Sequence, residues 1–156
     1  KFFIERLLGT FKHRVMDDLS ADFKKSKRSM SDIIIMASLI EEETRNESER
    51  AVVSGILWKR LDKNMPLGVD AAVRYFLHKP VDAITKADLD TDSPYNLRKV
   101  RGLPPSPISN PSLSSIRAAL HPKDSPYFYY LHDAQGAIHY ATTNDEHNRN
   151  KATYLH

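Results

Sequence analysis

An apolar run meets three consecutive acids in the segment IIIMASLIEEET, residues 33–44. Its apolar residues recur at helical spacing, which predicts a helix over residues 32–45. At 100° per residue, one stripe of this helix should face the core: Ile33, Met36, Ala37, Ile40 and Thr44. Glu42 then points into solvent, and Glu41 and Glu43 lie on the two shoulders of the stripe.

A carboxyl at the edge of an apolar surface is partly desolvated and still reachable. Desolvation raises its pKa, so that it can hold a proton and act as a general acid. Glu41 and Glu43 are therefore both candidates, and helical geometry alone does not choose between them. The alternative is that the three acids form a solvated helix face, as charge runs usually do.

The flanking sequence predicts an α+β fold in one domain. Its N-terminal half is mainly helical, and its C-terminal half has a small antiparallel hairpin and a closing helix. Seven of the nine prolines fall between residues 94 and 126, which excludes long helices and central strands there. The further predicted helices span residues 1–28, 46–62, 71–77, 112–120 and 143–155, and the predicted strands span residues 127–131 and 137–141.

The length, composition and charge of the chain exclude several classes of protein and of site. The 156 residues suffice for one domain, and the absence of cysteine excludes disulfides and thiol chemistry. No apolar run approaches the ~20 residues of a membrane span. The net charge of +3 includes a basic cluster at residues 24–28, which is either a solvated face or a contact for an anionic partner. No recognised nucleic-acid motif is present, so we expect no nucleic-acid partner.

Several segments together resemble one known family. ASLIEEET (37–44) followed by SER (48–50) resembles the ASIxExET…SER signature of the endolytic murein transglycosylases, the YceG-like family. Further blocks agree in order and spacing, at residues 67–70, 88–96, 102–111, 118–122, 127–130 and 143–148. Any one block is weak, but six in register are specific. The sequence departs from the family at Gly68, where Gln is usual, and at Ala71 and Ala72, which replace Pro and Thr.

The resemblance implies an activity and a catalytic residue. Enzymes of this family cut the glycan strands of nascent peptidoglycan internally, at the β-1,4 bond between N-acetylmuramic acid and N-acetylglucosamine. They use no water and leave 1,6-anhydro ends. The catalytic acid of the family directly precedes the Thr, which corresponds to Glu43. A single carboxyl suffices when it serves first as acid and then as base, whereas ordinary glycosidases use two.

The matching segments and their residue types give a set of expected substrate-binding residues: Asp70, Tyr95, Asn96, Asn110, His147 and Asn148. His147 and Asn148 alternatively order the closing helix. Asp70 is alternatively a second carboxylate, which would make the enzyme a hydrolytic muramidase, or the cap of a helix starting near Ala71. Tyr95 and Asn96 offer a ring and an amide to a sugar, or else are a packed ring and a turn residue.

Glu41 and Glu49 are expected to support the site from beside it, with Glu49 closing a capping box at Asn46. The spacing of His121, His132, His139 and His147 matches no compact ligand motif, so we expect neither a metal site nor a cofactor.

The remaining expectations concern the whole protein. The chain opens without Met inside an apparent amphipathic helix, so residues 1–156 are expected to be one catalytic domain, a fragment of a longer protein. In the family the preceding part typically holds a membrane helix and a LysM-like glycan-binding subdomain. The expected place is the bacterial cell envelope, at the outer face of the cytoplasmic membrane. The expected partners are peptidoglycan strands and wall-synthesis enzymes, with membrane contact only through that anchor. A glycan-binding module without activity is the alternative from another class.

Overall fold

The computed structural model describes residues 2–80 and 83–155. Its N-terminal part contains α1 (Phe2–Phe11), a π-helical turn (Lys12–Met16), α2 (Asp17–Lys25), α3 (Met30–Glu43), α4 (Glu47–Asp62) and α5 (Asp70–Leu77). Its C-terminal part contains a 3-10 turn (Asp88–Asp90), α6 (Leu113–Leu120), the antiparallel strands β1 (Tyr129–His132) and β2 (Ile138–Ala141), and α7 (Asn144–Tyr154). This arrangement confirms the predicted α+β class. None of the described helices is both long and apolar enough to cross a membrane.

Helix α3 lies at the centre of the core. Every residue of the predicted stripe is buried, and so are Ile35, Ser38 and Leu39. The helix is enclosed on more sides than one stripe requires, because α4, α5 and α6 all pack against it. Glu42 remains exposed, as predicted.

Both ends of α3 lie two residues earlier than predicted. The Ser29 hydroxyl oxygen accepts the backbone N–H of Asp32 at 3.0 Å, which caps the start of the helix. Thr44 adopts an extended backbone and ends the helix. Glu43 therefore occupies the last helical position, where the chain turns away.

The first helical segment differs from the single helix predicted over residues 1–28. A π-helical turn separates α1 from α2, and an extended Ser26 ends α2. Val15 and Leu19 join the core. The apolar side chains at the start of α1 remain exposed: Phe2, Phe3, Ile4, Leu7 and Leu8. Lys1 lies outside the described residues.

The hairpin pairs β1 with β2 and places Tyr130 opposite Tyr140. Both strands lie within two residues of their predicted bounds. Because side chains alternate between the faces of a strand, Tyr130 and His132 share one face, and Tyr129 lies on the other.

Glu41 ties α3 to the start of α6. Its Oε2 accepts hydrogen bonds from the backbone N–H of Ser112 at 2.9 Å, the Ser112 hydroxyl at 2.6 Å and the Ser115 hydroxyl at 2.7 Å. Ser112 is itself the N-cap of α6. Burial alone would raise the pKa of Glu41, but these hydrogen bonds and nearby Arg50 outweigh it and lower the pKa. Glu41 is therefore a charged structural link.

We expect Glu41→Gln to lower the free energy of unfolding by about 2 kcal/mol at pH 7, because the serine donors lose a charged acceptor. Urea denaturation measures this loss. Glu42→Gln is the matched control, since it makes the same change one residue along at an exposed ion pair. It should cost less than about 1 kcal/mol.

The cost of Glu41→Gln should also depend on pH. The folded-state pKa of Glu41 lies below its ordinary value of 4.5. Its stabilisation is thus complete above that value and is lost as pH falls through the lowered pKa. The two proteins should converge in acid, and a difference that persists there would contradict this role.

Gly55 allows the chain leading to β1 to cross α4 at backbone distance. A Cβ at this position would lie 2.0 Å from the carbonyl oxygen of Lys123. The N–H of Lys123 also donates to the carbonyl of Ala51 at 2.8 Å. The crossing chain is therefore held against α4 just before it enters the hairpin.

Gly55→Ala should lower the free energy of unfolding by about 1–3 kcal/mol, because the obstructing atom belongs to the backbone. Thermal or urea denaturation measures it. Gly9→Ala is the control: nothing lies within 4 Å of its added methyl group, and alanine favours a helix. If both variants were equally stable, the close crossing would be wrong.

Candidate functional site

Glu43 lines a cavity of about 480 Å³. This cavity, here called the acid groove, lies between the end of α3 and the hairpin and is lined by residues 42–46, Glu49 and residues 132–136. The Tyr130 hydroxyl donates to Glu43 Oε2 at 2.6 Å. Burial, together with the charge of Glu43, raises the pKa of Tyr130 well above its ordinary value. The phenol therefore keeps its proton and remains a donor.

Burial raises the pKa of Glu43 above its ordinary value. The Tyr130 hydrogen bond acts in the opposite direction, because it favours the charged carboxylate. The nearby negative charge of Asp70 adds to the rise, and His132 and Arg74 lower it. The net direction is upward because desolvation is the largest influence.

The two shoulder acids of α3 thus occupy opposite environments. Glu41 is surrounded by hydroxyl and amide donors that hold its pKa low. Glu43 receives one phenolic hydrogen bond in a desolvated setting that holds its pKa high. A proton donor needs the second environment, so the structure distinguishes two candidates that helical geometry leaves equivalent.

Glu49 also lines the acid groove and holds several of its neighbours. Its carboxylate accepts the Thr44 hydroxyl at 2.9 Å and the Asn46 side-chain amide at 3.1 Å. His132 Nε2 lies 3.3 Å from the same carboxylate. The expected capping box is therefore modified, since Asn46 offers its side chain to Glu49 while its Oδ1 caps the N–H of Ser48.

Asp70 lies at the first position of α5 and is held by Arg98. The guanidinium donates to both carboxylate oxygens, at 2.5 and 2.7 Å. Val69 is the N-cap, so the alternative that Asp70 caps this helix is wrong. Gly68 brings the two segments together, because its N–H donates to the carbonyl of Leu97 at 2.7 Å and its φ of +70° suits glycine.

Tyr95 and Asn96 have different surroundings although they are adjacent. The Tyr95 ring packs against Tyr75, and its hydroxyl lies 2.7 Å from that of Ser106. Asn96 is fully buried, and its amide donates to the carbonyls of Leu89 and Thr91. In this structure its side chain holds the loop together rather than facing a sugar.

Three other expected sugar-binding residues are not among those that line the acid groove in the described ranges. Asn110 is exposed in the loop before α6, and Asn148 is exposed on α7. His147 stacks on Tyr129 at 5.2 Å, on the opposite face of β1 from Tyr130. Burial and nearby Lys151 and Arg60 lower the pKa of His147. None of the three is among the described residues that line the acid groove.

The structure adds residues that sequence reasoning missed near the acid. Tyr130 and His132 come from β1, Arg74 comes from α5, and Arg98 comes from the loop after the 3-10 turn. The two-residue spacing on one strand is a signal that could have paired Tyr130 with His132. The arginines carry no such local signal. In the described ranges, no three His, Asp or Glu side chains gather as metal ligands would.

Comparison with known proteins places this geometry in a family. The chain matches the YceG-like family over residues 1–153. The endolytic murein transglycosylase of Bacillus subtilis strain 168 is 39% identical over 140 residues, covering 90% of this chain and 39% of that protein. The endolytic murein transglycosylase of Streptococcus pneumoniae strain D39 is 31% identical over 138 residues, covering 85% of this chain and 25% of that protein.

A solved structure agrees with these sequences. The crystal structure of a yceG-like protein from Listeria monocytogenes superposes with a TM-score of 0.81 at 37% identity, covering 86% of this chain and 44% of that chain. The chain thus spans less than half the length of each of these relatives. The resemblance drawn from the motifs is confirmed, and the chain belongs to the YceG-like family.

Proposed function

We propose that this domain is a lytic transglycosylase that cuts peptidoglycan glycan strands internally, with Glu43 as its acid and base. The bond cut is the β-1,4 link between N-acetylmuramic acid and N-acetylglucosamine. The products are a strand with a new N-acetylglucosamine hydroxyl and a strand ending in 1,6-anhydro-N-acetylmuramic acid.

The reaction needs one carboxyl and no water. Protonated Glu43 gives its proton to the glycosidic oxygen as the C1–O bond breaks, and the muramyl ring gains oxocarbenium character. The Glu43 carboxylate then removes the proton of the C6 hydroxyl, whose oxygen bonds to C1 of the same ring. The nucleophile is already attached, so its proximity replaces a positioned water, and Glu43 ends protonated as it began.

One observation carries the proposal: Glu43 lines an open groove, and burial of its carboxyl raises its pKa. Tyr130 donates to Oε2, which leaves Oε1 to carry the transferable proton. Asp70 lies close enough for its charge to raise the pKa of Glu43. Its charge would also favour the positive ring of the transition state, while Arg98 keeps it in place.

The names of the relatives support the proposed substrate class. Two are endolytic murein transglycosylases, and we carry that activity to this chain on the strength of the shared motifs. Residues 1–156 then form the catalytic domain of a longer envelope protein, and its polymer substrate lies outside the cytoplasmic membrane. Wall-synthesis enzymes are the proposed protein partners, because they make the strands that this domain would cut.

Glu43→Gln should abolish strand cleavage, with a loss of at least about a hundredfold, because the amide has no proton to donate. The measurement is mass spectrometry of fragments released from isolated glycan strands. The unmodified protein should release ends lighter by one water than hydrolysis products. Glu5→Gln is the control for this readout, because Glu5 is exposed on α1 and is not among the described residues that line the acid groove; this variant should retain cleavage.

Other products of the strand digestion would support one of the alternative functions. Reducing ends would favour a hydrolytic muramidase that uses Glu43 with Asp70. Retention of strands without release would favour a binding module. Full activity in the Glu43→Gln protein would remove Glu43 from the mechanism altogether.

Tyr130→Phe should raise the pKa of Glu43 further, because the lost hydrogen bond favours the carboxylate. The alkaline limb of the pH–rate profile should therefore move to higher pH. The maximal rate should fall roughly ten- to a hundredfold, because the carboxyl is less firmly positioned.

Tyr129→Phe is the control, since it makes the same change on the opposite face of β1. Its pH–rate profile should match that of the unmodified protein. An unshifted alkaline limb in Tyr130→Phe would contradict the link between this hydroxyl and the acid.

A further inference from the structure

A second cavity of about 380 Å³ adjoins the acid groove. We call this cavity the aromatic groove. Its lining consists of Glu42, six residues between Ala71 and Pro80, and Ile108. Glu42 lines both cavities, and Arg74 pairs with it across 3.6 Å. The two grooves thus share one lining residue, Glu42, which is next to Glu43 in the sequence.

The aromatic groove takes its name from Tyr75, which lines it and belongs to a cluster of three rings. Tyr75 lies 5.5 Å from Tyr95, and Phe76 stacks on Tyr95 at 6.0 Å. Tyr75 and Phe76 are nevertheless 42% and 43% exposed on the short helix α5. Large apolar rings held rigidly at a surface, beside polar groups, are typical of a binding site.

Charged and polar side chains also line the aromatic groove. Arg74, His78 and Lys79 contribute to the lining, and Lys79 is held by Asp88 at 2.7 and 2.8 Å. A sugar ring has an apolar C–H face and a rim of hydroxyl and amide groups. A rigid tyrosine with donors around it matches both features.

We propose that the aromatic groove binds a further sugar ring of the same glycan strand, with its C–H face stacked on Tyr75. This inference rests on the proposed function, because the strand is taken to pass Glu43. The strand would cross the Glu42–Arg74 pair and occupy both grooves, so that the bond at Glu43 has sugars bound on both sides. An enzyme that cuts inside a strand needs contacts on both sides of the bond.

The test uses Glu43→Gln protein, so that strands are bound without being cut. Fluorescently labelled, peptide-free glycan strands are titrated, and anisotropy gives the dissociation constant. Adding Tyr75→Ala should weaken binding about tenfold, which corresponds to the loss of one stacked ring. Tyr75→Phe keeps the ring and should bind as tightly as Tyr75.

Phe3→Ala is the control, because it removes an exposed ring from α1, far along the chain from either groove. It should leave the dissociation constant unchanged. As a second measurement that needs no variant at Tyr75, the Tyr75 ring signals in aromatic NMR spectra should shift when strands are added, and those of Phe3 should not.

Three results would overturn the inference. The first is unchanged binding in Tyr75→Ala, and the second is equal weakening in Tyr75→Phe. The third comes from a parallel titration with peptide-bearing strands: a loss of binding in Tyr75→Ala that is seen only with those strands. The last would assign the groove to the peptide rather than the sugar. Because binding is measured without cleavage, an inactive unmodified protein would count against the proposed reaction and leave this comparison intact.

Discussion

Helix α3 is enclosed by α4, α5 and α6 along most of its length and leaves the core only at its last turn. The three acids stand at that exit. Since successive residues are 100° apart, the helix directs each carboxyl to a different neighbour. Glu41 reaches the cap of α6, Glu42 reaches Arg74 at the surface, and Glu43 reaches the hairpin. The different roles of the three acids follow from these different neighbours.

Identical side chains acquire different chemistry from what packs against them. Hydroxyl and amide donors keep Glu41 charged and make it a link between helices. Desolvation favours the neutral form of Glu43 beside an open cavity. The hairpin is essential to this contrast, because β1 supplies Tyr130 to one carboxyl oxygen and His132 to the lining of the acid groove. The close crossing at Gly55 leads the chain into that strand.

Local signals in the sequence predicted most of the fold. The cap at Asn46 and the helical stripe of α3 are read from neighbouring residues, and the structure confirms them. Contacts between residues that lie far apart in the sequence could not be predicted from such local signals. Glu41 with Ser112 and Glu43 with Tyr130 are separated by 71 and 87 positions. Asn96 shows the same limit, because a residue type suited to sugars is used here to hold a loop.

The most direct test of the account is a carboxyl titration of the folded protein by carbon-13 NMR, with Glu41 and Glu43 assigned through their Gln variants. The account predicts that Glu43 titrates above the ordinary value of 4.5 and Glu41 below it. If Glu43 titrated at or below 4.5, its carboxyl would be an ordinary anion at neutral pH. The claim that burial prepares it as a proton donor would then be contradicted.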